Sequence, residues 1–82
     1  MPDKLIVYGA DWCLAARRAA RFLDRNDVDY EWINIDESEQ ADVRVREIND
    51  GYRSVPTLVF RDGSTLTEPS LDELADRLDI ER

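Results

Sequence analysis

Histidine is absent from this chain, cysteine occurs once, at Cys13, and lysine occurs once, at Lys4. Each scarcity removes a class of structure. A single cysteine forms no internal disulfide, so the chain is not a stapled secreted scaffold, and a reducing cytoplasm is the expected compartment. With no histidine and one sulfur, a zinc or iron–sulfur site built from protein ligands alone cannot be assembled within one chain. No run approaches the roughly 18 apolar residues of a membrane span, and no signal-peptide pattern precedes the first apolar run. Eleven basic residues against nineteen acidic ones leave a net charge of −8. That balance argues against nucleic acid as a partner, because little cationic surface is left to displace its counterions.

What is present reads as one domain over residues 1–82, large enough for a single modest core. Leu5 to Tyr8 is uniformly apolar and is expected as a central strand covered on both faces. Ala16, Ala19, Ala20 and Leu23 then recur at helical spacing through Arg25, with arginines on the opposite face, and Asn26-Asp27 supplies the stop. Residues 29–36 alternate, Tyr30 and Trp32 against Ile33 and Ile35, and read as a second strand. A strand, a helix and a strand of these lengths form a right-handed parallel crossover. Residues 37–49 read as a second helix, ended by Asn49-Asp50-Gly51. Asp62-Gly63 between residues 57–60 and 64–67 is a strong hairpin signal. Ser70-Leu71-Asp72-Glu73 matches a capping box that opens a last helix through Leu78. The predicted order is βαβαββα, an α/β fold with a four-stranded mixed sheet and helices on both faces.

Cys13 falls where the first strand hands over to the first helix. Unpaired backbone N–H groups and the helix macrodipole favour negative charge there, and the thiolate is the reactive form of cysteine. A lone cysteine is most often a small buried hydrophobe. Here Gly9 and Asp11 mark a loop, and no large apolar run follows to draw the side chain inside. Cys13 is therefore expected at or near the surface.

Ser54-Val55-Pro56-Thr57 opens the third strand. Proline is tolerated at the first position of a strand, which is the simplest explanation. The alternative is a cis Val55–Pro56 bond in a tight turn that leaves the Val55 N–H and C=O open to pair with an extended thiol substrate. If the turn presents its backbone beside Cys13, the bond is expected to be cis.

These residues carry a resemblance. Trp12-Cys13, the Val55-Pro56 turn and the element order resemble the thioredoxin fold of the glutaredoxins. The run from Asn49 to Thr57, followed by Asp62 to Ser70, is most similar to the mycoredoxins of actinobacteria. The likeness covers essentially the whole chain as a single glutaredoxin-like domain. It implies an enzyme of redox homeostasis, a thiol–disulfide oxidoreductase acting on mixed disulfides of a low-molecular-weight thiol such as mycothiol. Cys13 would be the nucleophile. Val55 and Pro56 would contact the substrate backbone, and Trp12, Arg17, Arg53, Glu68 and Ser70 would line or charge the groove. No tightly bound cofactor is implied. The expected partners are the small thiol and thiolated proteins, met by a cytoplasmic monomer.

The departures from the family pattern define the chemistry expected here. The second cysteine, three residues after the first, is replaced by Ala16. Leu14 and Ala15 stand where proline or glycine and an aromatic residue are usual. Ala10 replaces the lysine that glutathione-using relatives carry, and Glu68-Pro69 replaces their Gly-Gly run. A dithiol cycle within the chain is thereby excluded, leaving a monothiol route. Two other classes are compatible with one cysteine: an iron–sulfur carrier in which two chains each give Cys13, and a redox-inactive binding module. Iron–sulfur relatives usually have Gly-Phe-Ser after the cysteine, which Leu14-Ala15-Ala16 does not match.

Overall fold

A computed structural model describes residues 3–81. The chain runs β1 (Leu5–Gly9), α1 (Leu14–Arg25), β2 (Tyr30–Asn34), α2 (Glu39–Ile48), β3 (Thr57–Val59), β4 (Thr65–Thr67) and α3 (Leu71–Leu78). The sheet order is β2-β1-β3-β4. β1 pairs parallel to β2, with Leu5 opposite Tyr30 and Gly9 opposite Asn34, and antiparallel to β3, with Tyr8 opposite Thr57. β3 and β4 form the antiparallel hairpin. The predicted topology is the one observed.

Strand alternation divides the core into two layers. Leu5 and Val7 of β1 and Leu58 of β3, with Phe60 just beyond it, pack against Ala19 and Leu23 of α1 and Leu74 of α3. On the other face Tyr8, Val55 and Val59 pack against Ala41 and Val45 of α2, with Ile35. α1 and α3 therefore cover one face and α2 the other. Among the described residues no helix is long and apolar enough to cross a membrane.

The local signals act at the atomic level. Ser70 accepts from the Glu73 N–H at 3.1 Å while the Glu73 carboxylate accepts from the Ser70 N–H at 3.1 Å, completing the capping box. The hairpin loop is Arg61-Asp62-Gly63, with Gly63 at φ 90° and Asp62 accepting from both the N–H and the hydroxyl of Ser64. Arg77 of α3 lies 4.0 Å from the centroid of the Phe60 ring and pairs with Asp62 at 3.1 Å, fastening the last helix to the hairpin.

β2, β3 and β4 are each shorter by one to three residues than the sequence reading, and two other boundary differences have a visible cause. α2 starts at Glu39 rather than Glu37, because Ser38 is the cap and its hydroxyl accepts from the Ala41 N–H. Gly9 is not a loop residue but the buried last position of β1. A Cβ at Gly9 would come within 2.4 Å of the Trp32 indole. The missing side chain is what lets that ring lie across the end of β1.

Candidate active site

Cys13 is the N-cap of α1, with extended backbone at φ −87° and ψ 107°. Its own N–H donates to the Ala10 carbonyl at 3.0 Å, closing the turn that leaves β1. Its carbonyl accepts the Arg17 N–H at 3.1 Å, the first bond of the helix. The side chain makes no capping bond. The first-turn N–H groups that follow have no intrahelical acceptor, a consequence of helix geometry. Cys13 is half-buried, packed against the α2-side core, and its thiol donates to the Val55 carbonyl at 3.5 Å.

That contact joins the two halves of the site predicted from sequence. The Val55–Pro56 bond is cis, as expected for a turn that faces Cys13. The expectation that both Val55 backbone groups stand open holds for one of them. The carbonyl receives the thiol, while the N–H has no partner among the described residues. Glu68 is tied to the same turn through its N–H, which donates to the Pro56 carbonyl at 2.8 Å, and its side chain is exposed.

The turn is held from behind by a polar group that the sequence reading treated only as a helix stop. Asn49, the C-cap of α2, donates to the Thr57 hydroxyl at 3.0 Å and accepts from the Thr67 hydroxyl at 2.6 Å. The fully buried Thr57 hydroxyl in turn donates to the Ser54 carbonyl at 2.7 Å. Buried polar groups need partners, and these three satisfy one another across α2, β3 and β4. No sequence signal marks Asn49 as the hub, since its partners lie 8 and 18 residues away.

Trp12 and Arg53 meet through a residue that sequence reasoning missed. The Trp12 indole N–H donates to one oxygen of Asp36 at 2.8 Å, and the Arg53 guanidinium binds the other at 2.7 Å. Arg53 also binds Asp42 at 2.8 Å, and Asp42 takes Arg46 at 3.2 Å. This chain of charges links the loop bearing Cys13, the loop after β2, helix α2 and the segment before the cis proline. It anchors the exposed ring of Trp12, the residue that precedes Cys13. It also means that Arg53 is already balanced by two carboxylates and is not a free cation facing the sulfur.

Arg53, and after it Trp12, hold the Asp36 carboxyl below the usual carboxylate range, and Arg53 does the same to Asp42. Their folded-state values are depressed. The stabilisation is therefore fully present above the unfolded carboxylate value of about 4 and is lost as the pH falls through the lower folded value. The Trp12 indole N–H resonance should accordingly hold constant from neutral pH down to the unfolded carboxylate range and move only in stronger acid. Asp36→Ala should abolish that acid transition and speed exchange of the indole proton. The melting temperature should change little, because exposed ion pairs contribute little. A resonance that titrates near neutrality would show that Asp36 does not anchor Trp12.

The remaining sequence candidates lie outside this cluster. The Arg17 side chain is exposed and lines a depression with Ala20, Arg21, Asp24, Tyr30 and Trp32 on the β2 side of α1, with no ion pair among the described residues. The Ser70 hydroxyl is engaged in capping α3.

The geometry matches known proteins over nearly its whole extent. Residues 5–64 match the glutaredoxin family model. A Mycobacterium tuberculosis protein named as a glutaredoxin is 39% identical over 74 residues, covering 90% of this chain and 88% of that protein. Mycoredoxin 1 of Corynebacterium glutamicum is 34% identical over 77 residues, covering 94% of this chain and 95% of that protein. A crystal structure of a thioredoxin-like protein superposes with a TM-score of 0.85 at 30% identity, covering 98% of this chain and all of the other. With a thiol at a helix N-terminus against a cis-proline turn on a βαβαββα sheet, this chain belongs to the glutaredoxin family of thiol–disulfide oxidoreductases built on the thioredoxin fold.

Proposed function

We propose that the protein is a monothiol oxidoreductase that removes a low-molecular-weight thiol, mycothiol or a similar compound, from mixed disulfides on proteins. The observation that carries this reading is the pairing of Cys13 with the Val55 carbonyl at the mouth of the cis-proline turn, beside a buried Ala16. Ala16 stands where the family's second cysteine would be. The Cys13 thiolate attacks the small-thiol sulfur of the mixed disulfide. A Cys13–S–S–small-thiol bond forms, the old S–S bond breaks, and the protein substrate leaves as its thiolate. A second small-thiol thiolate then attacks the same sulfur, giving the small-thiol disulfide and regenerating the Cys13 thiolate. Per cycle one free small thiol is consumed and one mixed disulfide becomes a protein thiol and a small-thiol disulfide, so the number of disulfide bonds is conserved and no other reductant is needed.

The Val55 N–H and the neighbouring carbonyl offer the substrate backbone an extra-strand contact. Trp12, fixed by Asp36, and Glu68, tied to Pro56, contribute to the walls of the groove. Arg17, one turn into α1 from Cys13 and outside the cluster around the thiol, offers a cation to an anionic part of the substrate, and Arg53 stiffens the wall rather than binding an anion directly. Ser70 lies further along the same segment and contributes through the cap of α3. The chain acts as a single domain over residues 1–82 and as a monomer, without a tightly bound cofactor, in a reducing compartment such as the cytoplasm.

The test is a peptide carrying mycothiol, cysteine or glutathione in a mixed disulfide. With the matching free thiol supplied, release of the peptide thiol should turn over many times, and the Cys13-containing peptide should carry the small thiol between turnovers. Absence of that modified species together with absence of turnover would remove the enzymatic reading. A brown colour on anaerobic reconstitution with iron and sulfide would replace it with a cluster carrier.

A further inference from the structure

We propose that the outer face of α1 is a docking surface for an acidic segment of the protein whose disulfide is exchanged at Cys13. The proposal rests on the reading of Cys13 as the exchanging thiol. Leu14, Arg18, Arg21 and Arg25 are spaced i, i+4, i+7 and i+11 and so share one line along the helix. At 1.5 Å per residue that line is about 16 Å long. It begins one residue from Cys13, where Leu14 and Trp12 are both large, apolar and exposed.

Among the described residues the charges on this line have no partners. Arg18, Arg21 and Arg25 make no ion pair or side-chain hydrogen bond among the described residues. Four basic residues elsewhere do pair, Lys4 with Asp29, Arg46 with Asp42, Arg53 with Asp36 and Asp42, and Arg77 with Asp62, while Arg44 and Arg61 stand singly rather than in a row. On α1 that option is missing. The positions three and four residues either side of Arg18 hold Leu14, Ala15, Arg21 and Phe22. Asp24, three residues after Arg21, is taken by the Tyr30 hydroxyl at 2.9 Å. The first turn of α1 has no acidic residue, although the positive end of the dipole favours one. The row is a concentration of like charge that the fold itself leaves unrelieved, on a chain whose net charge is −8.

The surface is also concave. Arg18, Arg21 and Arg25 line a depression together with Phe22 and with Leu71 and Glu81 from the other side. Arginine beside exposed apolar side chains is the composition found at interface hot spots. A short acidic segment would be drawn to this stripe and aligned toward the thiol, whereas a long polyanion would meet the acidic remainder of the molecule. The occupant inferred is therefore an acidic peptide segment of the partner protein.

The experiment uses three 12-residue peptides, acidic, neutral and basic, each with one cysteine in a mixed disulfide with uncharged 2-mercaptoethanol. Rates of attack by Cys13 are normalised to the rate on bis(2-hydroxyethyl) disulfide. The acidic peptide should react on the order of tenfold faster than the neutral one at low ionic strength, and the advantage should shrink as salt is added. R18Q/R21Q/R25Q, which retains helix-forming side chains, should remove the advantage, and R18E/R21E/R25E should transfer it to the basic peptide. In parallel, a cysteine-free acidic peptide titrated into Cys13→Ser should shift the backbone resonances of Leu14, Arg18, Arg21 and Arg25. Equal rates for the three peptides with exchange intact would overturn the docking surface and leave the enzymatic reading standing. Resonance shifts on the stripe with no exchange in any peptide would do the reverse. Salt-dependent self-association in sedimentation velocity, or tighter binding of a 12-nucleotide single-stranded DNA than of the acidic peptide, would also overturn it.

Discussion

Cys13→Ser will abolish thiol exchange while making the fold more stable. The two effects have separate causes at one atom. Exchange needs a thiolate, and a serine hydroxyl is neither ionised near neutral pH nor able to form a disulfide bond. The rate on any mixed disulfide should fall by about three orders of magnitude or more, the scale seen when a catalytic nucleophile is removed. As the N-cap of α1, however, Cys13 makes no capping bond, so a first-turn N–H is left without a side-chain acceptor. Serine is among the best N-caps and should contribute about 1 kcal/mol. For a domain of this size that corresponds to a rise in melting temperature of roughly 4–8 °C. Thermal denaturation and a disulfide-exchange assay on the same preparation separate the two. A variant that loses stability along with activity would mean that the contact between Cys13 and Val55 holds the fold together rather than serving chemistry.

The second large effect is at Ala16. It is fully buried and occupies N3 of α1, the position whose backbone an N-cap side chain can reach. A cysteine there would lie beside the Cys13 sulfur and could attack any disulfide formed on it, with an effective concentration in the millimolar range or above. Ala16→Cys should therefore convert a protein that needs external thiol to release its substrate into one that reduces one protein disulfide per molecule without it, ending with Cys13 joined to the added sulfur in a disulfide that external thiol must reduce before the next cycle. Turnover on small-thiol mixed disulfides should change much less, since that route needs only Cys13. The added sulfur enters a packed site, and a destabilisation of about 1–3 kcal/mol is expected. Assaying both substrates with and without added thiol checks the prediction. An equal gain on both substrates would place the limiting step elsewhere.

Much of the fold was written in local chemistry. The apolar run of β1, the alternation of β2, Asp62-Gly63 and the capping box from Ser70 each act within a few residues, and short-range signals of this kind can be read directly. The meeting of Cys13 with the Val55–Pro56 turn follows from topology once β1 and β3 are neighbours. What could not be read were contacts closed over long separations by polar side chains. Asp36 lies 24 residues from Trp12 and 17 from Arg53. Nothing in its neighbourhood distinguishes it from the other surface acids of an acidic chain. Arg53 consequently read as a free cation when it is paired twice. Asn49 read as a helix stop because that is what it does locally, and its bonds to Thr57 and Thr67 appear only when α2 is set against the hairpin. Gly9 read as a loop because its reason for being glycine is the Trp32 ring on the neighbouring strand.

The central claim is that Cys13 works without an internal resolving thiol, and one measurement addresses it most directly. The wild-type protein is mixed with a protein disulfide in the absence of any small thiol, quenched by acid, and analysed intact by non-reducing mass spectrometry. The account predicts a one-to-one covalent adduct through Cys13 that accumulates and persists until small thiol is added, which then releases it. Release of the fully reduced substrate with no added thiol and no persisting adduct, its two electrons accounted for by a Cys13–Cys13 disulfide between two protein chains, would contradict it.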